Sequence, residues 1–206
     1  MQTKHQWHPT RTPVSLANGV RLAMLGALIG AGSPAQAAPE NYTVDSRHTF
    51  PVFEVGHLGF SLQRGRFNQT SGKITLDRDG RTGSVELTID AGSIDMGIEK
   101  WDTHMKGEDF FNVQKYPTIT FKSTKLLFEG DKVVGADGDL TLLGVTKPVK
   151  VVMSDFGCGA NPYNKKPLCG GNATVSVKRS EFGMTYGLPN FTDNVKIMIP
   201  VEAFKD

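Results

Sequence analysis

Residues 84–91 read SVELTIDA, and their alternation decides the fold. Val85, Leu87 and Ile89 fall on one side of an extended chain; Glu86, Thr88 and Asp90 fall on the other. Successive side chains of a strand point to opposite faces, so this period of two marks a strand with one face in a core and one in water. The same reading extends in both directions. Residues 42–45 and 49–58 (TFPVFEVGHL) are extended, with Phe53, Val55 and His57 sharing a face, and 64–77 (RGRFNQTSGKITLD) form another segment with its bend at Gly72. Residues 118–128, 132–142, 149–155, 172–178 and 195–203 follow, most of them bounded by turns such as Asp79-Gly80, Glu129-Gly130-Asp131 and Leu188-Pro189-Asn190. Many alternating strands at regular spacing predict an all-β sandwich or barrel. One stretch departs from this: in 98–106 (IEKWDTHMK), Ile98, Trp101 and Met105 have helical spacing, Asp95 lies near the start and Gly107 can end it. A helical insert there can cap one end of a barrel.

The 206 residues suit one domain with an extension. The first 37 read as a cleaved export signal. Arg11 and Arg21 supply charge, no Asp or Glu precedes Glu40, and 22–32 (LAMLGALIGAG) is an apolar run of signal length. Ala35 and Ala37 put the cut after Ala37, leaving 38–206 as one domain. The run is too short for a membrane anchor, which needs about 20 residues. Cleavage removes Lys4, Arg11 and Arg21 and no acid. That leaves 20 basic side chains against 21 acidic ones, a net charge of −1. Nothing in that balance points to a nucleic-acid partner. The two cysteines, Cys158 and Cys169, bracket GCGANPYNKKPLCGG, which reads as a loop. In an exported protein such a pair reads as a disulfide, with two free thiols as the alternative.

Beyond residue 37 the histidines are His48, His57 and His104. With Asp45 and Glu54 they match no metal-ligand spacing, and single histidines of this kind are usually structural. There is no G-x-S-x-G, no phosphate loop and no free-thiol Cys–His pair, so no catalytic residue is assigned. Aromatic residues dominate instead: Phe53, Phe60, Phe67, Phe110, Phe111 and Phe121 cluster around the early strands and the helix. Most must be core. A barrel of eight strands leaves room for side chains or one small ligand.

Several ordered motifs then carry a resemblance. Tyr42-Thr43-Val44-Asp45-Ser46-Arg47-His48, Phe53-Glu54-Val55-Gly56-His57 and Gly65-Arg66-Phe67 open it. The stretch from Lys100-Trp101-Asp102-Thr103-His104-Met105 through Asp109-Phe110-Phe111-Asn112 to Tyr116-Pro117-Thr118 continues it. Gly138-Asp139-Leu140-Thr141-Leu142-Leu143-Gly144-Val145-Thr146 and Arg179-Ser180-Glu181-Phe182-Gly183-Met184 close it. From about Tyr42 to Phe204 the chain resembles the YceI-like family of periplasmic, lipocalin-like proteins that bind polyisoprenoids. It departs from the family pattern at Leu143, where a His is usual, and at Arg64, where an apolar residue is common; the Cys158–Cys169 stretch is not shared by every member.

The resemblance implies an extended eight-stranded antiparallel barrel with a short helix near its mouth and no catalysis. It implies a periplasmic carrier or sequestering protein for an isoprenoid quinone or prenyl phosphate, with no other cofactor and no metal. The lumen and cap candidates are Phe53, Val55, His57, Phe60, Phe67, Trp101, His104, Met105, Phe110, Phe111 and Phe121. His57 and His104 are candidates for head-group contact, with a structural role as the alternative. The resemblance also admits a transient membrane contact and a homodimer. A barrel for fatty-acid or amide-type lipids, or a stress-related scaffold, are the competing readings.

Overall fold

A computed structural model describes residues 38–206; the expected export signal at 1–37 lies outside them. The strands are β1 (Glu40–Val44), β2 (Val52–His57), β3 (Ser61–Phe67), β4 (Thr70–Asp77), β5 (Thr82–Asp90), β6 (Ile94–Asp95), β7 (Thr118–Glu129), β8 (Lys132–Leu142), β9 (Val145–Ala160), β10 (Pro167–Lys178) and β11 (Phe191–Lys205). One helix, α1 (Glu99–Lys106), follows β6. The order β1-β4-β5-β7-β8-β9-β10-β11 returns to β1, so eight antiparallel strands close a barrel, as the family resemblance implies. Closure leaves no strand edge unpaired around the ring. The N-terminal half of β11 pairs instead with β2, which carries β3 and β6 beyond the ring at one end.

Two breaks shape that end. Between β1 and β2 the fully buried Thr49 bridges the gap. Its Oγ1 donates to the Glu202 carbonyl (3.1 Å) and accepts from the Glu202 N–H (3.0 Å), continuing the β11 pairing through a side chain. Between β3 and β4 the chain leaves the ladder at Asn68-Gln69, whose N–H groups donate to the carbonyl and hydroxyl of Ser93. The sequence places this bend at Gly72; that glycine instead lies inside β4, where an added Cβ would stand 2.3 Å from the Glu86 carbonyl oxygen of β5. Gly72 marks a close approach of two backbones rather than a turn.

The cysteines also differ from expectation. Cys158 and Cys169 form a disulfide, yet they lie directly opposite each other on β9 and β10. The bond ties two paired strands, and the loop proper is confined to 161–166. The helix begins one residue later than predicted. Ile98 is its exposed N-cap, and the Asp102 carboxylate accepts from the Met96 N–H at 2.6 Å, tethering α1 to the strand before it.

Two buried clusters occupy the two ends of the barrel. Phe53, Phe67, Phe110, Phe111, Phe182 and Met184 pack beneath α1. Tyr42, Leu76, Leu126, Val133, Ala136 and Cys169 seal the opposite end.

Candidate functional site

Between those clusters lies a cavity of about 460 Å³. Its wall is built by the strand period. Val85, Leu87 and Ile89 of β5 face it, as do Val149, Val151 and Met153 of β9, Ala173, Val175 and Val177 of β10, and Val195, Ile197, Ile199 and Val201 of β11. From Val195 to Val201 the wall runs roughly 20 Å along the strand, at about 3.4 Å per residue. On β7 the inward positions change from Phe121 to Leu126, an odd-to-even switch made possible by the irregular register between Ser123 and Lys125. A bulge adds one residue and so flips the faces that follow it. Gly138 on β8 gives room for the Phe121 ring, which an added Cβ would meet at 2.6 Å.

The lining holds no carboxylate, hydroxyl of Ser or Thr, thiol or ammonium group. Its polar members, His57, Gln63, Trp101, His104, Arg179 and Tyr186, gather at the α1 end. Trp101, His104 and Tyr186 line the cavity and are also exposed, so the mouth opens beside α1. His57 stacks on Phe191, with ring centroids 5.0 Å apart. The His104 ring meets Phe110 and Tyr186 edge-on, and its Nε2 lies 3.1 Å from the Asp109 carboxylate.

Arg179 is the side chain that holds this end together. It is buried, and its guanidinium donates to four backbone carbonyls: Thr192 (3.0 Å), Met184 (3.2 Å), Tyr186 (2.9 Å) and Phe191 (3.2 Å). Burial pushes its pKa down, and the nearby Asp193 carboxylate opposes that shift. Asp193 in turn accepts from the N–H and hydroxyl of Ser180, both at 2.8 Å. The segment from 179 to 193 is thereby fixed as part of the rim.

Of the residues named from sequence, Phe53, Val55, His57, Phe67, Trp101, His104, Met105, Phe110, Phe111 and Phe121 line the cavity. Phe60 does not. It is 90% exposed at the tip of the β2–β3 turn, because His57 ends the strand and the chain reverses before Phe60 can face inward. Sequence reasoning missed Gln63, Met96, Arg179, Met184, Tyr186 and Phe191. Alternation within β3 reaches Gln63; Phe191 opens β11 ahead of the predicted 195–203, and the others lie in connections where no period applies.

Outside the cavity, Asp45, His48 and Glu202 converge. His48 Nδ1 lies 2.8 Å from Asp45 and 4.0 Å from Glu202. The Asp45 hydrogen bond raises the His48 pKa. Burial pushes Asp45 upward, but its bonds from His48 and the Arg47 N–H outweigh this and leave its pKa lowered.

Fold and cavity together define a lipocalin-like barrel with an apolar internal site. The YceI-like domain model matches residues 42–203, and the chain belongs to the YceI-like family. A UPF0312 protein of Pseudomonas aeruginosa is 35% identical over 187 residues, covering 89% of this chain and 95% of that protein. The crystal structure of Burkholderia cenocepacia BcnA matches with a TM-score of 0.62 at 26% identity, over 77% of this chain and 98% of that one. A polyisoprenoid-binding domain from Saccharophagus degradans, implicated in plant cell wall breakdown, shares the fold (TM-score 0.59) at 17% identity, over 80% and 98% of the two chains.

Proposed function

We propose that this protein binds a polyisoprenoid-type lipid, an isoprenoid quinone or prenyl phosphate, in its barrel and carries or sequesters it in the periplasm without catalysis. The observation that carries this reading is the cavity wall: apolar from the sealed end to the rim, with polar groups only at the mouth. A chain threaded there is removed from water at about 0.8 kcal/mol per methylene. Some twenty methylenes give roughly 16 kcal/mol gross, against an association cost of about 4–15 kcal/mol. Shape and area therefore suffice without a charged contact, and a polar head group at the mouth would meet His57, Gln63, His104 and Tyr186, which line the cavity there. The chemistry of a hydrolase, a nucleophile beside a base, has no counterpart among these lining residues. The polyisoprenoid-binding domain from Saccharophagus degradans lends the ligand class by likeness of fold. The signal-like residues 1–37 support export, with cleavage after Ala37.

Lipid extraction of protein purified from its native compartment, followed by mass spectrometry, tests the reading. A prenyl lipid or quinone in stoichiometric amount is the expected result. Unbranched acyl lipid alone, or no lipid, overturns it.

A further inference from the structure

The large apolar side chains that face solvent are not scattered. Among the described residues eight are exposed, and six of them, Leu58, Phe60, Leu62, Ile98, Trp101 and Tyr186, stand at the mouth end. Three of them, Leu58, Phe60 and Leu62, belong to the β2–β3 hairpin, whose residues His57 and Gln63 line the cavity. The hairpin thus begins at the cavity mouth and carries its apolar side chains outward from it.

The tip is built at a cost. The Phe60 N–H donates to the His57 carbonyl at 3.0 Å, and the two residues between have φ of 55° (Leu58) and 74° (Gly59). Both central residues left-handed is the turn that favours Asn-Gly. Leu carries a steric penalty there that Asn largely avoids. An exposed leucine in a strained position contributes nothing to the core, so its apolar side chain is kept for another partner.

We propose that this hairpin docks the barrel mouth onto an anionic phospholipid bilayer, so that the cargo passes between membrane and lumen without crossing water. This rests on the lipid-carrier reading above. Three observations select a bilayer. The tip is convex and presents Phe60 at 90% exposure, a shape suited to a deformable surface rather than a flat protein face. Across β2 and β3 the bases Arg64 and Arg66 stand against one acid, Glu54, which pairs with Arg64 at 2.6 Å, so the hairpin carries a net charge of +1 with its guanidinium groups on the outward face. Leu62 and Arg64 share the outward face of β3, about 7 Å apart along the strand. Apolar groups of interfacial elements sit about 5–10 Å into the headgroup boundary, which puts Arg64 at the level of the phosphates. Exposed Trp101 on α1 suits the same interface.

Flotation of the purified protein with lipid-free-cargo vesicles of phosphatidylethanolamine and phosphatidylglycerol tests the proposal, with Trp101 quenching by a soluble short-chain quinone measured in parallel. The protein is expected to float, and less so as salt rises. Phe60→Ser should lower partitioning about tenfold. Leu58→Asn should lower it severalfold while raising the thermal midpoint, a split that a structural role does not give. Quinone affinity in solution should stay unchanged in both variants. No flotation of the parent protein, or flotation of Phe60→Ser equal to it, overturns docking. A dimer in sedimentation that Phe60→Ser dissolves makes a second copy the occupant and overturns it too. Flotation by a protein that carries no prenyl lipid refutes the cargo reading and leaves the docking surface standing.

Discussion

Ala173→Phe places a benzyl group inside the lumen. Ala173 is buried on β10, faces the cavity, and is paired with Met153 of β9 and Ile199 of β11, both also on the wall. A benzene-sized group fills a void of about 150 Å³, roughly a third of the 460 Å³ available. If some twenty methylenes of a prenyl chain fill the site, the ring displaces about six. At about 0.8 kcal/mol each that is roughly 5 kcal/mol, or a loss of affinity between 10³- and 10⁴-fold. The ring enters empty space, so the ligand-free protein should unfold at the same temperature or higher. Trp101 reports the outcome directly: it lines the mouth and is the only tryptophan in 38–206, so quinone titration should quench it in the parent and not in the variant. Val152→Phe is the control, because Val152 is exposed on the outer face between Val151 and Met153 of the wall. Equal quinone affinity in Ala173→Phe and the parent would refute the lumen as the binding site.

Unreduced, unfolded protein should show no thiol to a labelling reagent, and Cys158→Ser with Cys169→Ser should lower stability by about 3 kcal/mol, the entropic value for a loop of this size; denaturant unfolding measures it, and an unchanged midpoint refutes the estimate. Arg179→Lys cannot reach four carbonyls, and losing two charged hydrogen bonds should cost about 3–5 kcal/mol, with the mouth affected first; hydrogen exchange of 184–192 no faster than in the parent counts against that role. His48 should titrate above the usual histidine value of about 6.5, and Asp45→Asn should return it there, as followed by NMR. A raised pKa gives stability that is complete below about 6.5 and fades as pH rises through the folded-state value, whereas lowered Asp45 gives stability that is complete above about 3.9 and fades as pH falls through its own. The pair therefore supports the fold most fully between about pH 4 and 6.5, and a His48 midpoint indifferent to Asp45→Asn defeats this account.

The all-β class was legible because a sheet with one apolar face imposes strict alternation, and residues such as Val85, Leu87 and Ile89 obey it; barrel rather than sandwich came from the family resemblance. The wall of the site was legible for the same reason: any residue on the inward face of a mid-barrel strand lines the cavity unless another side chain fills it. Legibility ended where register changed. The irregularity near Thr124 moves the inward face from Phe121 to Leu126, and a fixed period cannot follow it. It ended again at the connections. No period marks Arg179 as an inward residue, yet it is buried because four carbonyls from 184–192 point at one place. Phe60 fails in the opposite direction: hydrophobicity suggests the interior, but the turn at Leu58-Gly59 carries it into solvent.

The failures that concern single side chains share a location. Arg179, Phe60 and the strained Leu58 all belong to the mouth, whereas the opposite end, where the register change leads to Leu126 and the cysteines lie on strands rather than in a loop, is reinforced by the disulfide and by Lys205–Glu40 and Lys73–Asp206 ion pairs. A protein that only needed to fold would gain from Asn at 58, a polar residue at 60 and an aliphatic core in place of a buried guanidinium. Departures from local preference concentrate where function opposes stability. Their clustering on the end that opens the cavity argues that exchange of the ligand, and not its mere retention, shaped this half of the barrel.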